Sequence, residues 1–144
     1  MKKMLAIMAI ITLSLTACAE RQHLVAFTEL PVQAQTFVQK YFNLSDVAYI
    51  EREREGMHHD YNVHFNNDLE VEFDYQGNLK SIDSEIYPVP NGIVPELITN
   101  FVTLHYPNHF IVEYVIGHRN LKVELGNGIE LYFDLEGHFL RADD

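Results

Sequence analysis

Histidine is the residue type in this chain that most invites a chemical role. The sequence holds eight histidines, and His58, His59 and Asp60 stand together shortly before His64. If this segment is a strand, alternate side chains share a face, so His58, Asp60 and His64 project to the same side. Two imidazoles and a carboxylate are ligands that zinc and copper ions accept. His58 and His64 are therefore weak candidate metal ligands.

The pattern around these histidines argues against a metal centre. The spacing of His58, Asp60 and His64 matches no common metal-binding motif. A similar strand later in the chain carries different residues at the matching positions, namely Asn120, Lys122 and Glu124. We therefore expect solvated histidines and no metal or cofactor. A small-ligand or metal site in the segment His58–His64 is the alternative.

Acidic residues alternate with apolar ones in the segment 69–75 and again in 129–135. Paired carboxylates act as general acid and base when a pocket separates their pKa values. Strict alternation predicts a solvated sheet face, which offers no such pocket. The sequence also contains no common catalytic motif. An enzyme is not expected.

A recognition surface accounts better for the same residues. Tyr132 stands among the acidic residues of the second segment, and aromatic side chains set among charges are typical of protein-binding surfaces. The positions at which the two segments differ are the most informative, because shared positions serve the fold. The candidate partner-binding face consists of Glu70, Glu72, Tyr132, His64 and Glu124.

The elements that must position these residues occur twice in the chain. The segment 69–79 returns as 129–139, with Glu, Phe, Asp and Gly at matching places. The segments upstream also correspond, since Leu30-Pro31 and Phe37-Val38 match Val94-Pro95 and Phe101-Val102. The sequence therefore predicts one domain, 30–144, made of the repeats 30–86 and 93–144, with 87–92 as the joint between them.

Each repeat begins with helical periodicity and continues with strand periodicity. Ala34, Phe37, Val38 and Tyr41 follow the spacing of a helix with one buried face. Period-two alternation then predicts four strands in each repeat. The predicted fold is α+β: two tandem helix-plus-four-strand repeats form one antiparallel sheet with both helices on one face.

Aspartates precede the turn glycines that occur in both repeats. Asp74 comes shortly before Gly77, and Asp134 comes shortly before Gly137. Aspartate side chains in turns accept hydrogen bonds from nearby backbone N–H groups. We expect Asp74 and Asp134 to cap these turns.

The N-terminus has the pattern of an export signal. Lys2 and Lys3 precede an apolar run, Met4 to Leu15, that is too short to span a bilayer. The run ends in Leu15-Thr16-Ala17-Cys18, which resembles the lipobox of bacterial lipoproteins. Residues 1–17 are thus predicted to be a signal peptide, 18–29 a lipid-attachment cysteine and tether, and Cys18 the lipidation site. Ala17-Cys18-Ala19 also fits ordinary signal-peptide cleavage, which stays open.

The charge of the chain limits its partners. The formal net charge is −11, and removal of Lys2 and Lys3 with the signal peptide brings it to −13. Nucleic-acid binding is not expected, because it requires clustered Lys and Arg. Contact with membranes is expected only through the lipid anchor. A partner protein with a basic face is compatible with this charge.

The helices and hairpins together resemble a known family. Leu30-Pro31 with Tyr41-Phe42, Val94-Pro95 with His105-Tyr106-Pro107-Asn108, and the hairpin Asn127-Gly128-Ile129-Glu130 are similar to the PepSY-like, beta-lactamase-inhibitor-like proteins of Bacteroides-type bacteria. The first repeat departs from that pattern at Asn67-Asp68 and at Asn43, both in turns. The resemblance implies a protein exported to the bacterial cell envelope.

On function, the family name implies structural likeness to an inhibitor that grips its enzyme with a sheet face. This is an analogy of fold. We expect a lipoprotein of the outer membrane, facing the periplasm or the cell surface, that binds another protein through the polar face of its sheet. An enzyme or peptidase is one class of partner, and binding with or without inhibition is open.

Overall fold

Nine strands follow one another across a single sheet in the order in which they occur in the chain. The computed structural model describes residues 23–144, and every neighbouring pair of strands is antiparallel. The strands are β1 (His23–Leu24), β2 (Val47–Glu55), β3 (His58–Phe65), β4 (Glu70–Phe73), β5 (Leu79–Asp83), β6 (Ile111–Ile116), β7 (Leu121–Leu125), β8 (Glu130–Phe133) and β9 (Phe139–Asp143). The predicted lipidation site, Cys18, and the predicted signal peptide lie outside the described residues.

Two helices of equal length occupy equivalent places in the two repeats. Helix α1 (Val32–Tyr41) begins after Pro31, and α2 (Glu96–His105) begins after Pro95. A proline fits this place because the first N–H groups of a helix have no intrahelical acceptor. Among the described residues, no helix has the length and apolar character needed to cross a membrane.

The helices and one face of the sheet share a single hydrophobic core. In-register pairing places one apolar side chain from each of the strands β2 to β8 in a row beneath the helices. Ala34 and Val38 of α1 and Ile98 and Val102 of α2 pack into the same core. The row consists of Ile50, Val63, Val71, Ile82, Tyr114, Val123 and Leu131. The predicted α+β fold, with both helices on one face of one antiparallel sheet, is confirmed.

The β4–β5 turn is fitted closely against the start of α1. Gly77 has a φ of +89°, in the left-handed region that glycine adopts without strain. A Cβ atom at Gly77 would lie 2.8 Å from Cβ of Pro31 and 2.9 Å from the backbone nitrogen of Ala34. The turn and the helix can approach this closely only because residue 77 lacks a side chain.

The aspartates before these turns act as expected. Oδ1 of Asp74 accepts hydrogen bonds from the backbone N–H groups of Gln76 and Asn78, each at 2.9 Å. Oδ1 of Asp134 accepts them from Glu136 at 3.0 Å and His138 at 2.8 Å. The predicted capping role of both aspartates is confirmed.

The two repeats are joined by strand pairing. β5 pairs with β6, with Ile82 opposite Tyr114, so the sheet continues from one repeat into the next. In the joint, the backbone N–H of Val89 donates to the carbonyl of Ile111 at 2.8 Å. The buried hydroxyl of Ser84 donates to the carbonyl of Tyr87. These bonds fix the joint against the sheet.

The end of the predicted tether belongs to the fold. His23 and Leu24 form β1 on the edge of β2, and the backbone N–H of Val25 donates to the carbonyl of Ile50 at 3.0 Å. Phe27 then enters a short 3-10 turn and packs against the core. The interval 18–29 is therefore not all tether, because its last residues are held by strand pairing and apolar contacts.

Candidate functional site

The polar face is the side of the sheet that points away from the two helices. In-register pairing places an acidic residue on every strand from β4 to β9, each directly opposite the next. We call these residues the acidic row: Glu70, Asp83, Glu113, Glu124, Glu130 and Asp143. The row crosses the junction between the repeats without interruption.

The predicted partner-binding residues all lie on this face, in two groups. His64 and Glu70 are directly opposite on β3 and β4, with Glu72 two residues along. Glu124 is opposite Glu130, and Tyr132 is opposite Lys122. β5 and β6 separate the groups, so they lie about 14 Å apart at the usual strand spacing. The structure therefore brings the predicted residues to one face but not to one point.

His64 connects β2 and β4 at one end of the acidic row. Its Nε2 lies 3.3 Å from Oε2 of Glu51, and its Nδ1 lies 3.7 Å from Oε2 of Glu70. Its ring stacks on Tyr49 with centroids 4.4 Å apart. Burial raises the pKa of Glu70, although His64 acts in the opposite direction. The imidazole is thus held between two carboxylates and an aromatic ring.

Lys80 is the centre of an ion-pair cluster that the sequence did not predict. Its Nζ lies 3.1 Å from Oε2 of Glu55 and 2.6 Å from Oε1 of Glu72, and it also bonds Asp60. Asp60 is only 8% exposed, and burial raises its pKa. Burial disfavours the charged form of Lys80, but hydrogen bonds to the three carboxylates outweigh it and raise the lysine pKa.

A second cluster surrounds Lys122 in the other repeat. Nζ of Lys122 lies 2.7 Å from Oε2 of Glu113 and 3.2 Å from Oε1 of Glu130. The hydroxyl of Tyr132 donates to Oε2 of Glu130 at 2.7 Å, and this bond is the main reason that the pKa of Glu130 is lowered and that of Tyr132 is raised. The guanidinium of Arg141 lies 3.8 Å above the Tyr132 ring. Tyr132 is thus fixed by contacts on two sides.

The weak metal candidates do not converge. His58 and His64 lie at opposite ends of β3, roughly 20 Å apart at the rise of a strand. The His58 ring stacks on Tyr75 with centroids 4.0 Å apart, whereas His64 contacts Glu51 and Glu70. One metal site that uses both histidines is therefore incompatible with the fold.

Two other clusters among the described residues have donor atoms close enough to surround a cation. The first is Glu55, Asp60 and Glu72, where the ammonium of Lys80 already supplies the positive charge. The second is Asp134, Glu136 and His138 in the β8–β9 turn, where Asp134 already accepts backbone hydrogen bonds. Both arrangements are explained by contacts within the protein.

This fold and its repetition define a family. Residues 16–80 and 59–141 each match the family described as "Putative beta-lactamase-inhibitor-like, PepSY-like". The chain belongs to this family. The two matches confirm the resemblance inferred from the sequence and the internal repeat.

Solved structures of Bacteroides proteins show the same fold over nearly their whole length. One, from Bacteroides thetaiotaomicron, is described as a "putative calcium-regulated periplasmic protein"; it has 31% identity and a TM-score of 0.80, over 85% of this chain and 97% of that one. A second, from Bacteroides vulgatus, is described as a "putative periplasmic protein" and has 28% identity and a TM-score of 0.82, over 88% of this chain and 99% of that one.

A third relative gives the same result. It is also described as a "putative periplasmic protein" from Bacteroides vulgatus, with 28% identity and a TM-score of 0.80, over 86% of this chain and 100% of that one. No curated protein matches the chain.

Proposed function

We propose that this chain is a protein-binding module of the bacterial cell envelope, and that the acidic row on its polar face is the binding surface. One observation carries the proposal: like charges stand directly opposite one another on successive strands from β4 to β9. Such pairs destabilise a sheet. Contacts within the fold account for Glu113 and Glu130, which pair with Lys122, and for Glu70, which contacts His64, whereas recognition of a basic surface accounts for the alignment of the whole row.

The expected partner is a protein with a basic face. Lys122 neutralises part of the row through Glu113 and Glu130, and His64 contacts Glu70 at one end. Tyr132 adds an aromatic side chain of the kind that protein interfaces favour. An enzyme such as a peptidase is one class of partner, which the family name supports by analogy. The chain itself is proposed to have no catalytic activity.

The relatives and the N-terminal sequence support a location in the cell envelope. The solved relatives are described as periplasmic, and Cys18 ends a lipobox-like segment. We infer that the chain is exported and attached to the outer membrane by lipid on Cys18, facing the periplasm or the cell surface. Cys18→Ser should release it from the membrane fraction, and unchanged retention would contradict the anchor.

Charge reversal on the polar face tests the binding surface. The double variant Glu70→Lys/Glu124→Lys should lose the partners that the unaltered protein captures from native envelopes, since it changes both groups of predicted residues. The double variant should not be less stable because of charge repulsion in the acidic row. The substitution at Glu124 removes a carboxylate that lies between those of Glu113 and Glu130. Cross-linking followed by mass spectrometry measures the capture.

The matched control is Glu96→Lys/Glu136→Lys, which makes the same charge change at the start of α2 and in the β8–β9 turn. This control should keep every partner. Equal loss in both double variants would show that net charge alone governs capture, and full retention in the polar-face variant would rule out the acidic row as the binding surface.

Calcium binding is a second candidate function. The relative with 31% identity is described as calcium-regulated. The acidic row supplies carboxylate oxygens, which are the ligands that calcium prefers. Glu124 and Glu130 are directly opposite on neighbouring strands, and a calcium ion there would compete with the contacts that Glu130 makes with Lys122 and Tyr132.

Calorimetric titration with calcium chloride tests this candidate. Binding heat should be present for the unaltered protein, should fall in Glu124→Gln/Glu130→Gln, and should persist in the control Glu96→Gln. Absence of heat in the unaltered protein would contradict the candidate. Heat that survives the double substitution would place any calcium site elsewhere.

A further inference from the structure

The two edges of the sheet differ in whether another strand covers them. The edge of β2 is covered at Glu51 and Arg52 by β1, which is only two residues long. β9 spans five residues, and within residues 23–144 no strand pairs with its outer side. A row of unpaired backbone groups on an edge strand is a template for another strand.

β9 has the same geometry as β5, a strand that is paired on both of its sides. β5 is its counterpart in the first repeat, and both strands follow the same kind of turn and carry a bulge at the same place. Ile82 of β5 is opposite Val71, as Ala142 of β9 is opposite Leu131. The outer side of β5 is paired with β6, whereas the outer side of β9 is open.

This correspondence defines which groups of β9 face outward. The backbone N–H of Ser84 donates to the carbonyl of Val112 at 2.9 Å. Because hydrogen-bonded pairs recur at every second residue of an antiparallel ladder, Ile82 and Tyr114 form the next such pair. Ala142 occupies in β9 the place that Ile82 occupies in β5, so its backbone N–H and carbonyl groups point to the open edge.

The residues that flank the open edge include fewer charged side chains than their counterparts in the first repeat. Natural edges are protected by charged side chains, especially lysine. The first repeat has Gln33, Lys40 and Lys80 at positions where the second repeat has Leu97, Leu104 and Leu140. These leucines are 56%, 76% and 55% exposed, respectively. The open end of the sheet is thus more apolar than the internal junction.

We propose that two copies of this chain pair through β9, antiparallel and about a twofold axis at Ala142. In this register Ala142 is opposite its own counterpart, and Arg141 of each copy is opposite Asp143 of the other. β9 is therefore complementary to itself in charge, and it places its smallest side chain at the axis. The two sheets become one continuous sheet with the helices of both copies on the same side.

The same features disfavour head-to-tail pairing. Repetition of the internal junction between molecules would pair β9 of one copy with β2 of the next. β1 occupies that edge through Glu51 and Arg52, and Val25 continues the coverage by donating to Ile50. Head-to-tail growth must displace β1, whereas twofold pairing uses open edges alone.

A cysteine at the axis tests the proposal in the native envelope. Ala142→Cys in the full chain should form a dimer linked by a disulfide, because opposite residues of a hydrogen-bonded pair have Cα atoms roughly 5.5 Å apart, which suits a disulfide. Leu140→Cys is the register control, since the proposed pairing separates its two copies by roughly 13 Å. The linked dimer is detected on a non-reducing gel of isolated membranes. The unaltered protein shows how much linkage Cys18 alone produces.

A charge exchange tests the register independently. Arg141→Asp should reduce the cross-linking yield of Ala142→Cys at least several-fold, and addition of Asp143→Arg should restore it. Circular dichroism of the purified variants checks that each is folded. Folded Ala142→Cys without a linked dimer, equal linkage at Leu140 and Ala142, or failure of the exchange to restore the yield would overturn the proposal.

Discussion

Asp74 and Asp134 stabilise the β4–β5 and β8–β9 turns by electrostatic means. Burial alone would raise the pKa of Asp74, but hydrogen bonds from Asn78, Gln76 and Gly77 hold it below the usual aspartate value of 3.8. The backbone N–H of His138 is the largest cause of the lowered pKa of Asp134. In both turns the ionised carboxylate is therefore the form that the folded state prefers.

Asp74→Asn removes this charge and the bond that Oδ2 accepts from the Asn78 side chain at 2.9 Å, while its amide oxygen can still accept the backbone hydrogen bonds. A carboxyl whose pKa is lower in the folded state adds stability above its unfolded pKa of about 3.8 and loses it as the pH falls through the folded pKa. We expect Asp74→Asn to lower the free energy of unfolding by about 1 kcal/mol at pH 7.

The difference between Asp74→Asn and the unaltered protein should shrink as the pH falls below about 3.8. Urea unfolding between pH 7 and pH 3 measures this difference. Asp144→Asn, beyond the end of β9, is the control and should change little. A difference that is constant across the pH range would mean that the carboxylate charge does not stabilise the turn.

At the scale of elements, the β4–β5 turn fits more tightly against α1 than its counterpart fits in the second repeat, where a Cβ atom at Gly137 would lie 3.3 Å from Cβ of Leu97. Gly77→Ala must adopt a positive φ and also bring its Cβ atom within 2.9 Å of the backbone of Ala34. Gly128 also has a positive φ, but its side-chain position is open.

We therefore expect Gly77→Ala to be more destabilising than Gly128→Ala. Gly128→Ala should cost about 1 kcal/mol, from its backbone conformation alone. Gly77→Ala should cost at least about 2 kcal/mol, because overpacking adds to the same backbone term. Thermal or urea unfolding of both variants tests this, and equal effects would show that α1 moves away from the turn without cost.

Helical spacing of apolar residues was sufficient to predict the helices, and alternation predicted the four strands of each repeat and the side of the sheet to which Glu70, Glu72 and Tyr132 point. It did not predict the contacts of Lys80, because the irregular pairing between Glu72 and Phe73 inserts an extra residue and turns Lys80 onto the polar face. A bulge shifts the phase of the period-two pattern, and β5, with five residues, is too short for that shift to be recognised.

Two other features depend on information that periodicity does not carry. β1 has two residues, which is too short to show any period. The acidic row depends on the register between separate strands, above all on the pairing of Asp83 with Glu113 across the joint. Sequence analysis placed Glu70, Glu124 and Glu130 on the polar face, but it assigned no face to Asp83, Glu113 and Asp143 and could not align the row.

At the scale of the whole molecule, one core and one sheet connect the two repeats. Ile98 and Val102 of α2 belong to the same buried cluster as Ala34 and Val38 of α1. Pairing of β5 with β6 adds backbone hydrogen bonds across the joint. The repeats are therefore expected to unfold together.

Urea unfolding should show one transition, with far-UV circular dichroism and tyrosine fluorescence giving the same midpoint. Tyr114→Ala, which removes a buried side chain beside the repeat junction, should lower that midpoint without splitting the transition; truncation of a large buried side chain costs roughly 3–5 kcal/mol. Two separate transitions in the unaltered protein would show that the repeats are independent units.

The strand order gives the molecule a direction. β1, which follows the predicted lipid attachment, lies at one edge of the sheet, and β9 lies at the other. At the usual strand spacing these edges are about 40 Å apart. If both copies of a β9-paired dimer are anchored at their β1 edges, the continuous sheet spans the lipid surface between two anchors about 80 Å apart. Its length would then set which partners in the envelope lie within range.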